Sequence, residues 1–239
     1  MNTTAVLPPL VLIPGHWLGA WAWDDVLPHL HPARATALTL PGLDPRDPAR
    51  ADRTLDEQVD AVLEVLAHLD EPAMLVAHSG ANAPVSLVLD RHPELVRRVV
   101  WVDSGPSAPG VAFAADLSSE VRAVPLPPFD ALGQQASLEG LNPAALERFR
   151  RDAVAEPGPV LRQSVQLTNP ARHDVPTTLV CCSLPRAQVR ELAHAGHPMF
   201  AEVAMLTHVA SIDLPTGHWP MWSRPRDLAE VILAAARQD

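Results

Sequence analysis

The stretch LVAHSGANAPVS, residues 75–86, ends an apolar run at a serine, Ser79, set between a histidine and a glycine. The five residues around it are Ala77-His78-Ser79-Gly80-Ala81, so the pattern G-x-S-x-G is not quite met, alanine standing at both glycine positions. A serine hydroxyl is a poor nucleophile near neutral pH unless a base takes its proton and donors stabilise the oxyanion that forms. A sharp strand-to-helix turn serves both needs. It exposes the hydroxyl, and the next backbone N–H points from a helix start into the same space. Small residues flank such a serine because strand and helix approach closely there, and alanine fills that role at modest steric cost. The run AMLVA before Ser79 reads as a strand, and ANAPVSLVLDRHPELV after it reads as a helix.

Outward from this turn, strands and helices alternate. PPLVLIP (8–14) is a continuous apolar run ending at Gly15, which suits a strand buried on both faces. The Trp-rich WAWDDVLPHL reads as helical, with Asp24 and Asp25 on its solvated face, and ARATALTLPG (33–42) reads as a second strand. A polar, proline-rich surface connection leads to residue 53. Residues 54–57 match the capping box T-x-x-E, and Leu55, Val59, Val62, Leu66 and Leu69 then recur at helical spacing. RRVVWVD ends at Asp103; TTLVCCS, a helix within 186–206, VASIDLP and the final helix RPRDLAEVILAAAR complete the order. Strict alternation predicts an α/β fold, a mainly parallel sheet with helices on both faces. Residues 104–175 interrupt it with many prolines, short amphipathic pieces such as NPAALERFRRDAV, and no convincing strand. They are read as a helical lid (107–173) between core segments 1–106 and 174–239, with Phe113, Phe129 and Phe149 as apolar contacts over a pocket.

A chain of 239 residues, 47% hydrophobic and 19% charged, suits one large globular domain. The formal charge of −10 argues against nucleic acid and anionic membrane as partners. No apolar run nears the roughly 20 residues of a membrane span, and MNTTAVLPPL carries no basic targeting region, so a cytoplasmic protein is expected. Adjacent Cys181 and Cys182 are read as buried reduced thiols, since a bridge between neighbours is strained. The absence of lysine and tyrosine beside many alanines, arginines and prolines suits a GC-rich bacterial genome. His194 and His197 lack the companion residues of a metal site, and no phosphate-binding glycine loop is present.

The candidate base lies near the C-terminus. LPTGHWPMW (214–222) puts His218 in a loop between the last strand and the last helix, after Ser79 in chain order. LIPGHWLGAWAW puts Gly15-His16 directly after the first strand, where a second oxyanion donor is needed. On these motifs the chain resembles the lipase/esterase-like α/β-hydrolase superfamily over nearly its whole length. It is most similar to the small cofactor-free branch that includes plant methylesterases and hydroxynitrile lyases. The resemblance implies Ser79 as nucleophile, His218 as base on the segment GHWPMWSRP, and the backbone N–H groups of His16 and Gly80 as oxyanion hole. Two departures stand out. Pro14-Gly15-His16 replaces the branch's His-Gly-x, and Ser183 stands where an aspartate is expected after the penultimate strand. The acid is therefore assigned to Asp103, at the end of the strand that follows the nucleophile helix, a position some α/β-hydrolases use. A competing reading is that Asp103 only caps the turn into Ser104-Gly105-Pro106; Asp213, within the last strand, is expected to point away.

Trp17, His78 and Trp219 adjoin these groups and are expected to line an apolar substrate pocket. The expected function is hydrolysis of a small carboxylic ester through an acyl-serine, with no cofactor and no metal. Two alternatives stay open: a cofactor-free C–C lyase on the same scaffold, and a non-catalytic small-molecule receptor. The expected partner is a small-molecule substrate, and a homodimer is left open.

Overall fold

The computed structural model describes residues 7–238; the reading of the extreme N-terminus as free of a targeting region falls on residues 1–6, outside them. Eight strands run in chain order as β1 (Leu10–Ile13), β2 (Ala35–Ala37), β3 (Ala73–His78), β4 (Val96–Val102), β5 (Ala123–Val124), β6 (Glu156–Pro157), β7 (Thr177–Cys181) and β8 (Val209–Asp213). The helices are α1 (Leu55–Ala67), α2 (Asn82–Arg91), α3 (Phe129–Leu132), α4 (Pro143–Asp152), α5 (Gly158–Arg162), α6 (Arg186–His194), α7 (Pro220–Ser223) and α8 (Pro225–Ala236). Six strands form one sheet in the order β2-β1-β3-β4-β7-β8, and every pairing within it is parallel.

The continuous apolar runs have a simple cause. Successive side chains of a strand point to opposite faces, and both faces here are covered. Val11, Ile13, Leu75, Ala77, Val99, Trp101 and Leu179 pack on one side with Leu55, Val59, Val62 and Leu66 of α1 and Val85 of α2. Leu10, Leu12, Met74, Val76, Val100, Val102 and Val180 pack on the other with Trp23 and with Leu228, Ala229 and Ile232 of α8. The α1 start is the capping box: Glu57 N–H donates to Thr54 Oγ1 (3.3 Å), and Thr54 N–H donates to the Glu57 carboxylate (2.8 Å). No helix among the described residues is long and apolar enough to cross a membrane.

Two local expectations are corrected. The Trp-rich segment forms only 3-10 turns, Ala20–Trp23 and Leu27–His29, because Pro28 and tight packing of Ala22 and Trp23 prevent a longer helix. Asp24 and Asp25 are exposed, and Arg148 of α4 reaches both carboxylates, at 3.1 and 2.9 Å. Residues 104–175 hold three short helices and a final 3-10 turn, as the pattern suggested, yet also a strand pair. Ala123 and Val124 lie antiparallel to Pro157 and Glu156. Two residues per strand are too few to show the alternation that a sequence reading needs.

Candidate active site

The sheet's C-terminal edge gathers the predicted groups. β3 ends at His78, the 3-10 turn Ser79–Ala81 follows, and α2 begins at Asn82. Ser79 has φ of 51°, in the left-handed region that costs an L-residue about 1–3 kcal/mol. The turn is tight: a methyl at Gly15 would fall 2.8 Å from Ser79 Cβ, and one at Gly80 would fall 2.4 Å from the His16 ring. Alanine is admitted at 77 and 81 because both residues sit fully buried in the core between strand and helix. Ser104 Oγ–H braces the turn by donating to Ser79 C=O (3.0 Å).

His218 stands between Ser79 and Asp103. Ser79 Oγ–H meets His218 Nε2 at 2.7 Å, and His218 Nδ1–H donates to Asp103 Oδ2 at 2.6 Å. A carboxylate only accepts, so the Asp103 contact fixes the tautomer in which Nε2 is free to take a proton. The same Asp103 collects more donors. Cys182 N–H (3.0 Å) and Ser183 N–H (2.8 Å) reach Oδ1, and Ser183 Oγ–H reaches Oδ2 at 2.6 Å. Burial works to raise the Asp103 pKa, but the hydrogen bond and charge of His218, with the bonds from Ser183, outweigh it and hold the carboxyl below its ordinary range. Ser183, the residue found where an aspartate was expected, thus serves the aspartate on the neighbouring strand. Asp103 also has a positive φ, 45°. Asp213 turns away from the site and binds Arg186, through its backbone N–H (2.7 Å) and guanidinium (3.1 Å).

The His218 loop is held from two sides. Residues 137–139 pair with it, His218 N–H donating to Ser137 C=O (2.7 Å) and Gly217 N–H to Glu139 C=O (3.1 Å). From beneath, His78 Nε2–H donates to His218 C=O at 2.7 Å. The expectation that His78 lines the pocket is corrected: its side chain is only 1% exposed and supports the base from behind. Burial, then the charge of His218, push its pKa down to about 3, so this imidazole is neutral. Trp219 is also buried and meets the His218 ring edge-on, with centroids 4.9 Å apart.

Opposite the base, the 15–17 loop follows β1. His16 lays its ring on Gly80, and Phe113, 61% exposed, covers it at 4.3 Å between centroids. Trp17 is the third residue with positive φ, 65°, so the three non-glycine positions of positive φ among the described residues all belong to this site. Trp17 is buried, its indole N–H donating to Val124 C=O (3.0 Å), so it forms a wall and not an open surface. Of the three expected lid phenylalanines, Phe113 is the one that is exposed and in ring contact with His16. Phe149 is fully buried against Trp219 and Trp222, anchoring α4 to the core, and Phe129 packs on Phe149. Sequence reasoning missed Ser104, residues 137–139 and Glu156, whose carboxylate accepts from Trp17 N–H at 3.0 Å. No motif marks any of them, since each acts through a contact over 20 or more residues of chain.

Comparison with known proteins agrees with this architecture. The chain is 25% identical to a pyrethroid hydrolase of Sphingobium wenxiniae over 93% of its own length and 85% of that protein's. It is 30% identical to polyneuridine aldehyde esterase of Rauvolfia serpentina, over 39% of this chain and 38% of that one. Among solved structures, an extracellular α/β-hydrolase from a Paenibacillus species superposes with a TM-score of 0.73 at 19% identity, over 97% of this chain and 100% of that one. The family model described as "Alpha/beta hydrolase family" matches residues 10–231, and the chain therefore belongs to the α/β hydrolase family.

Proposed function

We propose that this chain is a serine carboxylesterase that cleaves small apolar esters through an acyl-serine intermediate. Ser79 Oγ attacks the ester carbonyl while His218 Nε2 takes its proton, and the backbone N–H groups of His16 and Gly80 receive the oxyanion. His218 then returns the proton to the leaving alcohol. In the second half a water, deprotonated by His218, attacks the acyl carbonyl and regenerates Ser79. Asp103 orients His218 and stabilises the imidazolium formed in each half without taking its proton. Residues 107–173 act as a lid, with Phe113 at the entrance offering an apolar face to the acyl or alcohol group. The observation that carries this reading is the unbroken chain from Ser79 Oγ through His218 to Asp103, at 2.7 and 2.6 Å. Two relatives, the pyrethroid hydrolase and the polyneuridine aldehyde esterase, support an ester as substrate.

A fluorophosphonate probe followed by peptide mapping tests it. Ser79 should be labelled and no other serine, Ser79→Ala should abolish labelling, and His218→Ala should lower kcat on a p-nitrophenyl ester by about 10³-fold or more. Labelling that survives Ser79→Ala, or a His218→Ala enzyme within tenfold of wild type, overturns the assignment.

A further inference from the structure

Glu156 has an unusual position for a carboxylate. It is 1% exposed at the start of β6, in the inserted segment, and 139 residues from the loop it binds. Of the other buried carboxylates among the described residues, Asp90 and Glu202 lie beside Arg172, and Asp103 serves His218. Glu156 instead has His16, whose Nδ1 is 3.3 Å from Oε2, and the Trp17 N–H, 3.0 Å from the same oxygen. A buried carboxyl is costly unless such partners offset its lost hydration, and both partners here belong to the oxyanion loop.

That loop needs holding. Trp17 has φ of 65°, a conformation that a bulky side chain seldom keeps unless its surroundings enforce it. Three hydrogen bonds from the inserted segment enforce it: Trp17 N–H to Glu156, Val154 N–H to Trp17 C=O (2.9 Å), and Trp17 Nε1–H to Val124 C=O. Trp17 is thereby held at both of its peptide groups and at its ring, and the bond to Glu156 is the one that acts on the peptide joining it to His16. On its other side, the His16 ring is confined between Gly80 and Phe113.

We infer that Glu156 is a positioning residue for ester cleavage: by binding the His16 imidazole and the peptide that follows His16, it fixes the placement of that residue, whose own N–H, in the preceding 15–16 peptide, is aimed at the oxyanion. This rests on the esterase reading above. Its carboxylate touches no reacting atom. Losing an oxyanion donor outright lowers kcat by about 10²–10³, so a donor merely misaimed should cost less, about 10- to 100-fold.

The experiment compares Glu156→Met, which fills the same space without an acceptor, with Glu156→Gln, which keeps an oxygen for the Trp17 N–H. Both are assayed as purified full-length chains with a short-chain p-nitrophenyl ester and a trifluoromethyl ketone. Glu156→Met should lose about 10- to 100-fold in kcat with KM within threefold, and should bind the ketone, which forms a tetrahedral adduct, more weakly by a similar factor. Glu156→Gln should stay within about threefold of wild type in both. If Glu156→Met does not fold, Glu156→Asp withdraws the acceptor while keeping the charge and should show the same kcat loss. Full kcat in Glu156→Met or Glu156→Asp, a loss confined to KM, or a Gln variant no better than Met overturns the inference. A wild type that turns over no ester and leaves Ser79 unlabelled overturns the esterase reading, and the inference with it; labelled, active wild type beside unaffected variants overturns the inference alone.

Discussion

At the scale of single residues, Asp103 was read either as the acid beside His218 or as a cap of the turn into Ser104-Gly105-Pro106, and its carboxylate accepts instead from His218 and from the 182–183 backbone at the end of the neighbouring strand. Asp103→Asn keeps the size of the side chain but offers an amide where the imidazole needs an acceptor. It should favour the wrong tautomer and lower kcat by about 10⁴ while leaving the fold intact, as steady-state kinetics and circular dichroism would show. A variant with near-full turnover places the acid elsewhere. His78 makes a different prediction. Its pKa is depressed to about 3 in the folded chain, so it stays neutral there while the unfolded chain protonates it near 6.5. The unfolded state then binds more protons across that interval. Its contribution to stability is complete above about pH 6.5 and erodes as pH falls toward 3, by at most about 1.4 kcal/mol per pH unit. Urea unfolding at pH 8 and pH 5 should show this loss in wild type and a smaller loss in His78→Gln. Equal losses in the two proteins would remove His78 as the cause.

At the scale of elements, the site depends on loops held by the inserted segment as much as on strand ends. Gly217 shows this most directly. A methyl there would fall 2.5 Å from the carbonyl oxygens of both Ser137 and Glu139, which are backbone atoms and cannot swing aside. Gly217→Ala should therefore part the 137–139 strip from the His218 loop, breaking the pairing through His218 N–H and Gly217 N–H. The expected result is a loss of about 1–3 kcal/mol in thermal or urea unfolding, the cost of overpacking a tight site. A drop in kcat should accompany it, because Nε2 moves relative to Ser79. Unchanged kcat would mean that the base is held by Asp103 and His78 alone.

At the scale of the whole molecule, the chain carries a formal charge of −10, and long-range repulsion acts on any anion approaching the site. Neutral apolar esters should therefore be turned over with higher kcat/KM than matched monoanionic or phosphorylated esters. The gap should narrow as salt rises from about 10 to 500 mM, because screening shortens the reach of the field. A preference for anionic esters at low salt would contradict both this repulsion and the apolar mouth at Phe113.

Periodicity is a local property, and the sheet strands, the capped α1 and the turn at Ser79 were legible because their causes lie within a few residues of one another. Ser79 and His218 were legible for a related reason: each sits at a strand end or loop whose position in the alternating order is itself local information. The partnership of Asp103 with Ser183 was not legible as a pair, since it needs β4 and β7 side by side, which only the parallel pairing of the folded sheet provides. Glu156, Ser104 and the 137–139 strip lay further out of reach. A glutamate in a proline-rich segment looks like any solvated residue until packing buries it beneath the 15–17 loop. Strain belongs to the same class. The positive φ values at Trp17, Ser79 and Asp103 run against the local preference of those residue types, and contacts made across the whole fold enforce them.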